Sequence, residues 1–458
     1  MQLPEDIQGF VGMLVREIQY LKKIVEEQNI RITELEKENL LLKSELADYK
    51  TKKNSRNSSK PPSSDFGNIK KTQSLKKSSG KKVGGQKGHK GSSLKMVSNP
   101  DTTIKHEPSY CKSCGNDLSL ITSKFIDRRQ VFDIPPIKPV VVEHQIFSKA
   151  CTCGCVTQSA FEKGVSAPVS YGNNVQALIA YMNVRQYLPY KRMEELLQSV
   201  FGLSICQGSI KNIMDKMAGR LEPTYEIIRQ TVASSPVAGA DETGVNINGD
   251  NYWAWTFQTD IATFIDIHFK RGFEAIETIM TEGFENTILV TDCWSSYFKT
   301  NAKSHQLCTA HILRELQYHD ERFKNQTWSS RLAKLIRLAL RIRKEDRVTT
   351  NNINRIKHYF NKLCNDLIDS SAKKLITLQN RLIKYKDYLF LFLENILVPP
   401  DNNASERAIR NFKVKQKVSG FFKTEQGAKN YAIIRSVCDT AIKNKQNPLK
   451  ALQAATLV

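Results

Sequence analysis

No stretch of the 458-residue chain approaches the roughly 18 uninterrupted apolar residues of a membrane-spanning helix, which disfavours a membrane partner. The opening residues, MQLPEDIQGF, lack the basic-then-apolar layout of an export signal, so a cytoplasmic protein is expected. Acids are scarce: 46 Asp+Glu stand against 68 Lys+Arg, a formal net charge of +22. That imbalance argues for a polyanionic partner, nucleic acid before anionic membrane. Cysteine is present, ten in all, but not as a disulfide framework. Five of the ten fall in two tight clusters, which in a chain without an export signal suggests metal. The length exceeds one ordinary domain and fits roughly three or four units.

Residues 7–50 carry a heptad pattern. Ile7, Leu14, Leu21, Gln28, Leu35 and Leu42 recur every seven residues, and Val11, Ile18, Val25, Ile32, Asn39 and Leu46 form the offset series. β-branched residues mostly at a and leucine mostly at d favour parallel pairs, and Asn39 at an a position suits a register-setting polar residue. The expectation is a coiled-coil oligomerisation helix over residues 1–50, making the chain at least a dimer through residues 7–50. Residues 51–100 read as a basic Gly/Ser/Lys-rich linker. Between 51 and 95 there are 13 Lys/Arg, ten serines and a single acid, Asp65. Too little there can be buried to order a core. Lysines spaced by glycine and serine, such as Lys81, Lys82, Lys87 and Lys90, suit a sequence-blind track along DNA phosphates.

Residues 101–168 hold the cysteine clusters. Cys111-Lys-Ser-Cys114-Gly is a CxxCG knuckle, and Cys151, Cys153 and Cys155 follow after a stretch, 131–147, that reads as two short strands. Four thiolates from two such hooks would close a tetrahedral structural zinc site. The ligands are Cys111, Cys114, Cys151, and Cys153 or Cys155, which the spacing leaves open. Residues 169–232 read as helical. A helix at 192–201, Gly202, and a second helix at 209–221 have a helix-turn-helix layout, although a plain helical bundle fits this signal equally.

From residue 237 the period changes. AGADETGVNI, YWAWTFQT and ATFIDIHF are separated by Asn248-Gly249-Asp250 and by Asp260, a three-strand meander with turn residues in place. A helix from residue 273 follows, then the apolar strand NTILVTD, a further helix, and a strand at HQLCTA. This order is expected of a ribonuclease-H-like α/β core. Residues 312–398 carry helical patterns and no strand candidate, an all-helical insertion ahead of the stretch PPDNNASERAIR. The fold class expected is therefore multidomain α+β: coiled coil, zinc-binding module, helical DNA-binding region, and a catalytic core over 233–440, with a tail at 441–458.

Three carboxylates punctuate that core. Asp241, or its neighbour Glu242, lies within the first strand, Asp292 ends the fourth, and Glu406 opens the helix after the insertion. Strand alternation places only one of Asp241 and Glu242 on the site face. Phosphoryl transfer needs a deprotonated nucleophile and a stabilised leaving oxygen, which two Mg²⁺ (or Mn²⁺) ions about 3.5–4 Å apart supply. Mg²⁺ takes hard oxygen ligands and keeps waters, so three carboxylates from separate elements suffice. Glu406 could instead pair with Arg410 one turn away. Arg407, Arg410, Lys413, Lys415 and Lys417 follow it without an acid among them, a plausible phosphate-contacting face.

Together these pieces resemble the transposases of the insertion sequence 66 family, a branch of the DDE transposases. The matching stretches run along nearly the whole chain: NSSKPPSSD, GGQKGHKG, CKSCG with the later cysteine hook, ADETGV, LVTDCWSSY, CTAHILREL and PPDNNASERAIRNFKVKQKVSGFFKTEQGAKNYA. The resemblance implies Asp241, Asp292 and Glu406 as the catalytic, metal-holding acids, with Asp241 rather than Glu242 as the first. It adds a supporting Cys-x-x-His pair, Cys308 and His311. It implies a transposase that binds element ends and target DNA, cuts with divalent metal, and joins the freed end, with companion proteins of the same element as further candidate partners. The alternative is a non-catalytic DNA-binding regulator or domesticated derivative.

Overall fold

The computed structural model describes residues 5–51, 53–54, 57–58, 88, 94–162, 164–165, 167–324 and 326–457. Lys81, Lys82, Lys87 and Lys90 lie outside the described residues, as does most of the basic linker. The chain divides into two units, the smaller made of residues 73–161 and 195–205.

In the smaller unit a short antiparallel hairpin, β1 (Ser148–Ala150) and β2 (Val156–Gln158), pairs Ser148 with Gln158 and Ala150 with Val156. Cys151, Cys153 and Cys155 all sit in its loop. The two strands expected at 131–147 are absent: that segment carries no ladder. Pro135, Pro136 and Pro139 explain the difference, because each removes a backbone donor that a sheet requires.

The larger unit begins with α1 (Glu5–Lys50), one uninterrupted helix. Next come β-poor segments: α2 (Asn173–Val184), α3 (Tyr190–Phe201), whose second half falls in the smaller unit, and α4 (Gln207–Ala233). The Gly202 turn expected between the last two is present, in the left-handed region at φ +63°. α4 runs on past Leu221 and through Pro223, longer than its pattern indicated.

The core of the unit is a five-stranded sheet of β3 (Val237–Ile247), β4 (Asp250–Gln258), β5 (Thr263–His268), β6 (Phe284–Thr291) and β7 (Ala302–Leu307). Its spatial order is β5-β4-β3-β6-β7. The first three strands form an antiparallel meander, turned at Asn248 and Gly249, both at positive φ. β6 lies parallel to β3, and β7 parallel to β6. α5 (Phe273–Ile279) links β5 to β6. The helix expected between β6 and β7 is only a single 3₁₀ turn, Tyr297–Lys299. The connection is short, and the Asp292 carboxylate accepts the Trp294 N–H at 2.9 Å, folding the chain back at once.

After β7 come α6 (Thr309–Arg322), α7 (Trp328–Lys344), α8 (Thr350–Cys364), α9 (Lys373–Lys384) and the short α10 (Leu391–Glu394). Leu316, Leu332, Ile336, Phe360, Leu378 and Phe390 share a buried cluster with Ile288 and Val290 of β6 and Leu307 of β7, so the insertion packs as one core with that side of the sheet. α11 (Asn403–Ser419), α12 (Glu425–Lys443) and α13 (Pro448–Ala455) complete the chain. α12 is tied to the edge strand of the sheet: Ile265 N–H donates to Ser436 Oγ at 2.9 Å, and Thr263 N–H to Thr440 Oγ1 at 3.0 Å.

Candidate functional site

The site is set by strand register. β3 and β6 pair Val237 with Ile288 and Gly239 with Val290. Carrying that parallel register forward two residues places Asp241 opposite Asp292. β6 and β7 pair Thr291 with Leu307, so the next step places Asp292 opposite Cys308. The Cys308 N–H indeed donates to Thr291 O at 2.8 Å. The register thus sets Asp241, midway along β3, beside Asp292 and Cys308, which directly follow β6 and β7.

Glu406 reaches this row because α11 is pinned over β3. A Cβ built on Gly239 would lie 2.5 Å from Ser405 Oγ and 2.6 Å from Asn402 Oδ1, so only glycine admits the start of α11 here. Asn402 Nδ2 donates to Ala240 O at 2.6 Å, and Ser405 Oγ to Asn402 Oδ1 at 2.6 Å. The segment before α11 is held against the start of α6: Thr309 donates from both N–H and Oγ1 to Pro400 O, and Asn402 N–H donates to Cys308 Sγ at 3.2 Å. Strand alternation puts Asp241 on the Gly239 face, toward α11, and Glu242 on the other. Glu242 is buried there, accepting from Arg271 Nη2 at 2.8 Å and from the Tyr297 hydroxyl.

The Glu406 carboxylate does not pair with Arg410. Its Oε1 accepts from Arg314 Nη2 at 3.1 Å and lies 3.5 Å from His311 Nε2. Among the described residues, Cys308, His311 and Glu406 form the group whose ligand atoms all fall within 4.8 Å of one another. Asp241, Asp292 and Glu406 are looser than that limit, yet close enough to act on one another. Burial, and then the charges of Glu242, Asp292 and Glu406, push the Asp241 carboxyl well above the ordinary range. Asp292 is raised by burial and by Glu242, against the Trp294 N–H, His311 and Arg271. Burial and Arg314 lower His311, and burial lifts the Cys308 thiol to about 11. A pocket of crowded, desolvated carboxylates is a poor place for several negative charges and a good one for a hard cation.

The basic residues after Glu406 divide. Arg407, Arg410 and Lys417 are exposed, while Lys413 Nζ donates to Gly244 O at 2.6 Å. Lys415 is buried against the Tyr431 ring, 5.6 Å from its centroid, contrary to the expectation of a solvent-facing phosphate contact. Its i,i+3 spacing from Phe412 already placed it on the apolar face of α11. Arg314 was missed altogether. Its only signal was its position one turn after His311, on the same side of α6. Arg271, which locks Glu242, gave no local signal.

At the cysteine clusters, Gly115 N–H donates to Cys111 O and Gly154 N–H to Cys151 O, each at 2.9 Å, with both glycines at positive φ. The two hooks are related but not identical turns, the second one residue shorter than the first, and in each a cysteine, Cys114 or Cys153, directly precedes the glycine. Hydrogen bonds from the Cys114 and Cys153 backbone N–H groups lower the thiols of Cys111 and Cys151 respectively. Among the described residues, no three of these thiols lie within 4.8 Å of one another. Four thiols on two related knuckles nevertheless suit zinc as a donor set.

A mixed α/β core with one carboxylate within β3, one just past the parallel strand β6 and one on α11, in a chain that also carries a cysteine-knuckle module, defines a protein with an acidic site on a basic chain. The family model described as transposase IS66 family matches residues 168–430, more than half of the sequence, and the chain belongs to that family. The zinc-finger binding domain of transposase IS66 matches residues 108–154, and a family of unknown function matches residues 16–95. No curated protein matches the chain. Among the described residues, no helix is long and apolar enough to cross a membrane.

Proposed function

We propose that the chain is a DNA transposase that binds the ends of an insertion sequence, cuts there, and transfers the freed strand. What supports this reading is the parallel β3–β6 register, Gly239 to Val290, which when extended by two residues brings Asp241 beside Asp292, together with the start of α11 that carries Glu406. The strand order β5-β4-β3-β6-β7, antiparallel then parallel, supports a ribonuclease-H-like core. On this reading the core spans 233–440, with the insertion at 312–398, a helical DNA-binding region at 169–232, a zinc module at 101–168 and the coiled coil at 1–50.

Asp241, Asp292 and Glu406 are the residues that would hold two Mg²⁺ or Mn²⁺ ions. When bound, such ions activate the attacking water or 3′-hydroxyl and stabilise the leaving oxygen. Asp241 and Asp292 contribute buried carboxylates whose mutual repulsion a cation relieves. Arg314 and His311 orient Glu406 from α6, and Cys308 fixes the chain entering α11 through the Asn402 N–H. Arg407, Arg410 and Lys417 are the phosphate contacts of this face, with Lys415 serving packing. Cys111, Cys114, Cys151 and Cys153 are the structural zinc ligands, on the parallel between the two knuckles.

The deciding experiment incubates the purified chain with a duplex carrying one end of the insertion sequence and Mg²⁺. Nicking at the element boundary is expected, and Glu406→Gln should abolish it with the circular dichroism spectrum unchanged. If Glu406→Gln cuts as fast as the parent, the triad is wrong. If the parent binds but never cuts, the non-catalytic derivative is the better reading.

A further inference from the structure

Arg271 lies in the connection after β5, within the matched residues 168–430 but outside the short stretches quoted for the resemblance, and its surroundings are unusual. Its guanidinium lies over two indoles, 4.6 Å from the Trp253 ring centroid and 4.8 Å from that of Trp294. Its Nε and Nη2 both donate to Glu242 Oε1, at 3.1 and 2.8 Å. Glu242 is itself 2% exposed, and its second oxygen accepts from the buried Tyr297 hydroxyl. Trp294 stacks edge-on against Tyr297 and sits two residues beyond Asp292, whose carboxylate takes the Trp294 N–H. The whole assembly is therefore built onto the loop that carries Asp292. Yet the Arg271 side chain is 47% exposed, and among the described residues the outer edge of its fork has no protein partner.

Mere neutralisation of Glu242 does not need this arrangement. A planar cation held against two aromatic rings and along one edge has lost much of its conformational freedom in advance. What remains is a rigid outward edge of N–H donors, matched to the oxygens of a phosphate. Resting on the proposed function, we infer that Arg271 is a phosphate-contacting residue of this site, gripping the DNA backbone beside the phosphodiester held at Asp292. Glu242 and Tyr297 are its positioning residues, and Trp253 and Trp294 its walls.

The test compares the parent, Arg271→Gln, and the pair Glu242→Gln with Arg271→Gln, which has the same net charge as the parent. Binding to an element-end duplex is measured by fluorescence anisotropy in Ca²⁺ across a salt series. Each lost phosphate contact lowers the slope of log K against log salt by about 0.9. The expected result is a slope lower by about one in both variants. In a second series a single neutral methylphosphonate is walked along the cleavage boundary. One position should weaken parent binding and leave both variants indifferent. A purely structural Arg271 gives the opposite pattern: Arg271→Gln strands a buried carboxylate and weakens binding, and adding Glu242→Gln restores parental slope and affinity. That rescue, or a parental slope in Arg271→Gln, overturns the inference while leaving the proposed function standing. A parent chain that fails to bind the duplex overturns both.

Discussion

Asp241 carries a tension that can be measured without DNA. Its carboxyl is raised because burial and three neighbouring carboxylates disfavour the charged form. Above the ordinary aspartate value of about 3.9, the folded state holds a proton that the unfolded chain has released, so stability falls as pH rises through that window. Asp241→Asn removes the penalty. Calorimetry at neutral pH without divalent metal should show it melting above the parent, with a weaker loss of stability between mildly acidic and neutral pH. The same substitution should abolish cleavage. Mg²⁺ should raise the melting temperature of the parent by ligand linkage and leave Asp241→Asn nearly unmoved. An Asp241→Asn chain less stable than the parent at neutral pH would mean that the carboxylates are not in repulsion. The local positions were legible: Asp241 lies within β3, Asp292 directly after β6 and Glu406 in the first turn of α11, as alternation and turn residues imply. What was not legible depends on partners far away in sequence. Glu406 is held by Arg314, 92 residues away, rather than by the local Arg410.

At the scale of elements, the placement of α11 over β3 rests on one missing side chain. Gly239→Ala would drive a methyl group into Ser405 and Asn402, both buried and hydrogen-bonded to each other. Overpacking of this kind costs about 1–3 kcal/mol. The expected outcome is a lower urea midpoint and a larger loss of cleavage than that stability change explains, because Glu406 moves with the helix. Cleavage at parental rate would show that α11 needs no such approach. The knuckle module gives an independent test. Elemental analysis should find about one zinc per chain. Cys153→Ser should lose it and Cys155→Ser keep it, and the reverse would reassign the second hook. The meander and the helical insertion were readable because alternation, the Asn-Gly turn and helical spacing are local signals. The strands expected at 131–147 failed because the apolar pattern there was real but the prolines deny it a ladder. The helix expected between β6 and β7 failed because the fold's usual order outweighed a connection too short to hold it.

For the whole molecule, the open question is what covers α1. Its heptad residues Val11, Leu14, Ile18, Leu21, Val25, Ile32, Leu35, Leu42 and Leu46 are 41–58% exposed. A stripe of that length left in water forfeits the burial that such side chains normally supply. A second copy of the same helix offers the complementary seam, since β-branched a and leucine d positions favour parallel pairs. Two copies would also place two cleavage sites in one assembly, which suits an element with two ends. Light scattering of the intact chain should therefore give at least twice the monomer mass. Removing residues 1–50 should return the monomer while leaving the zinc content unchanged. Replacing Leu14, Leu21 and Leu35 with alanine in the full chain should weaken association without shortening it. Synapsis of two labelled element ends in one complex should fall in step with the mass, whereas binding of a single end should persist. A truncated chain that keeps the parental mass would move the oligomer contact elsewhere, and synapsis undiminished in a monomer would separate end pairing from α1 altogether.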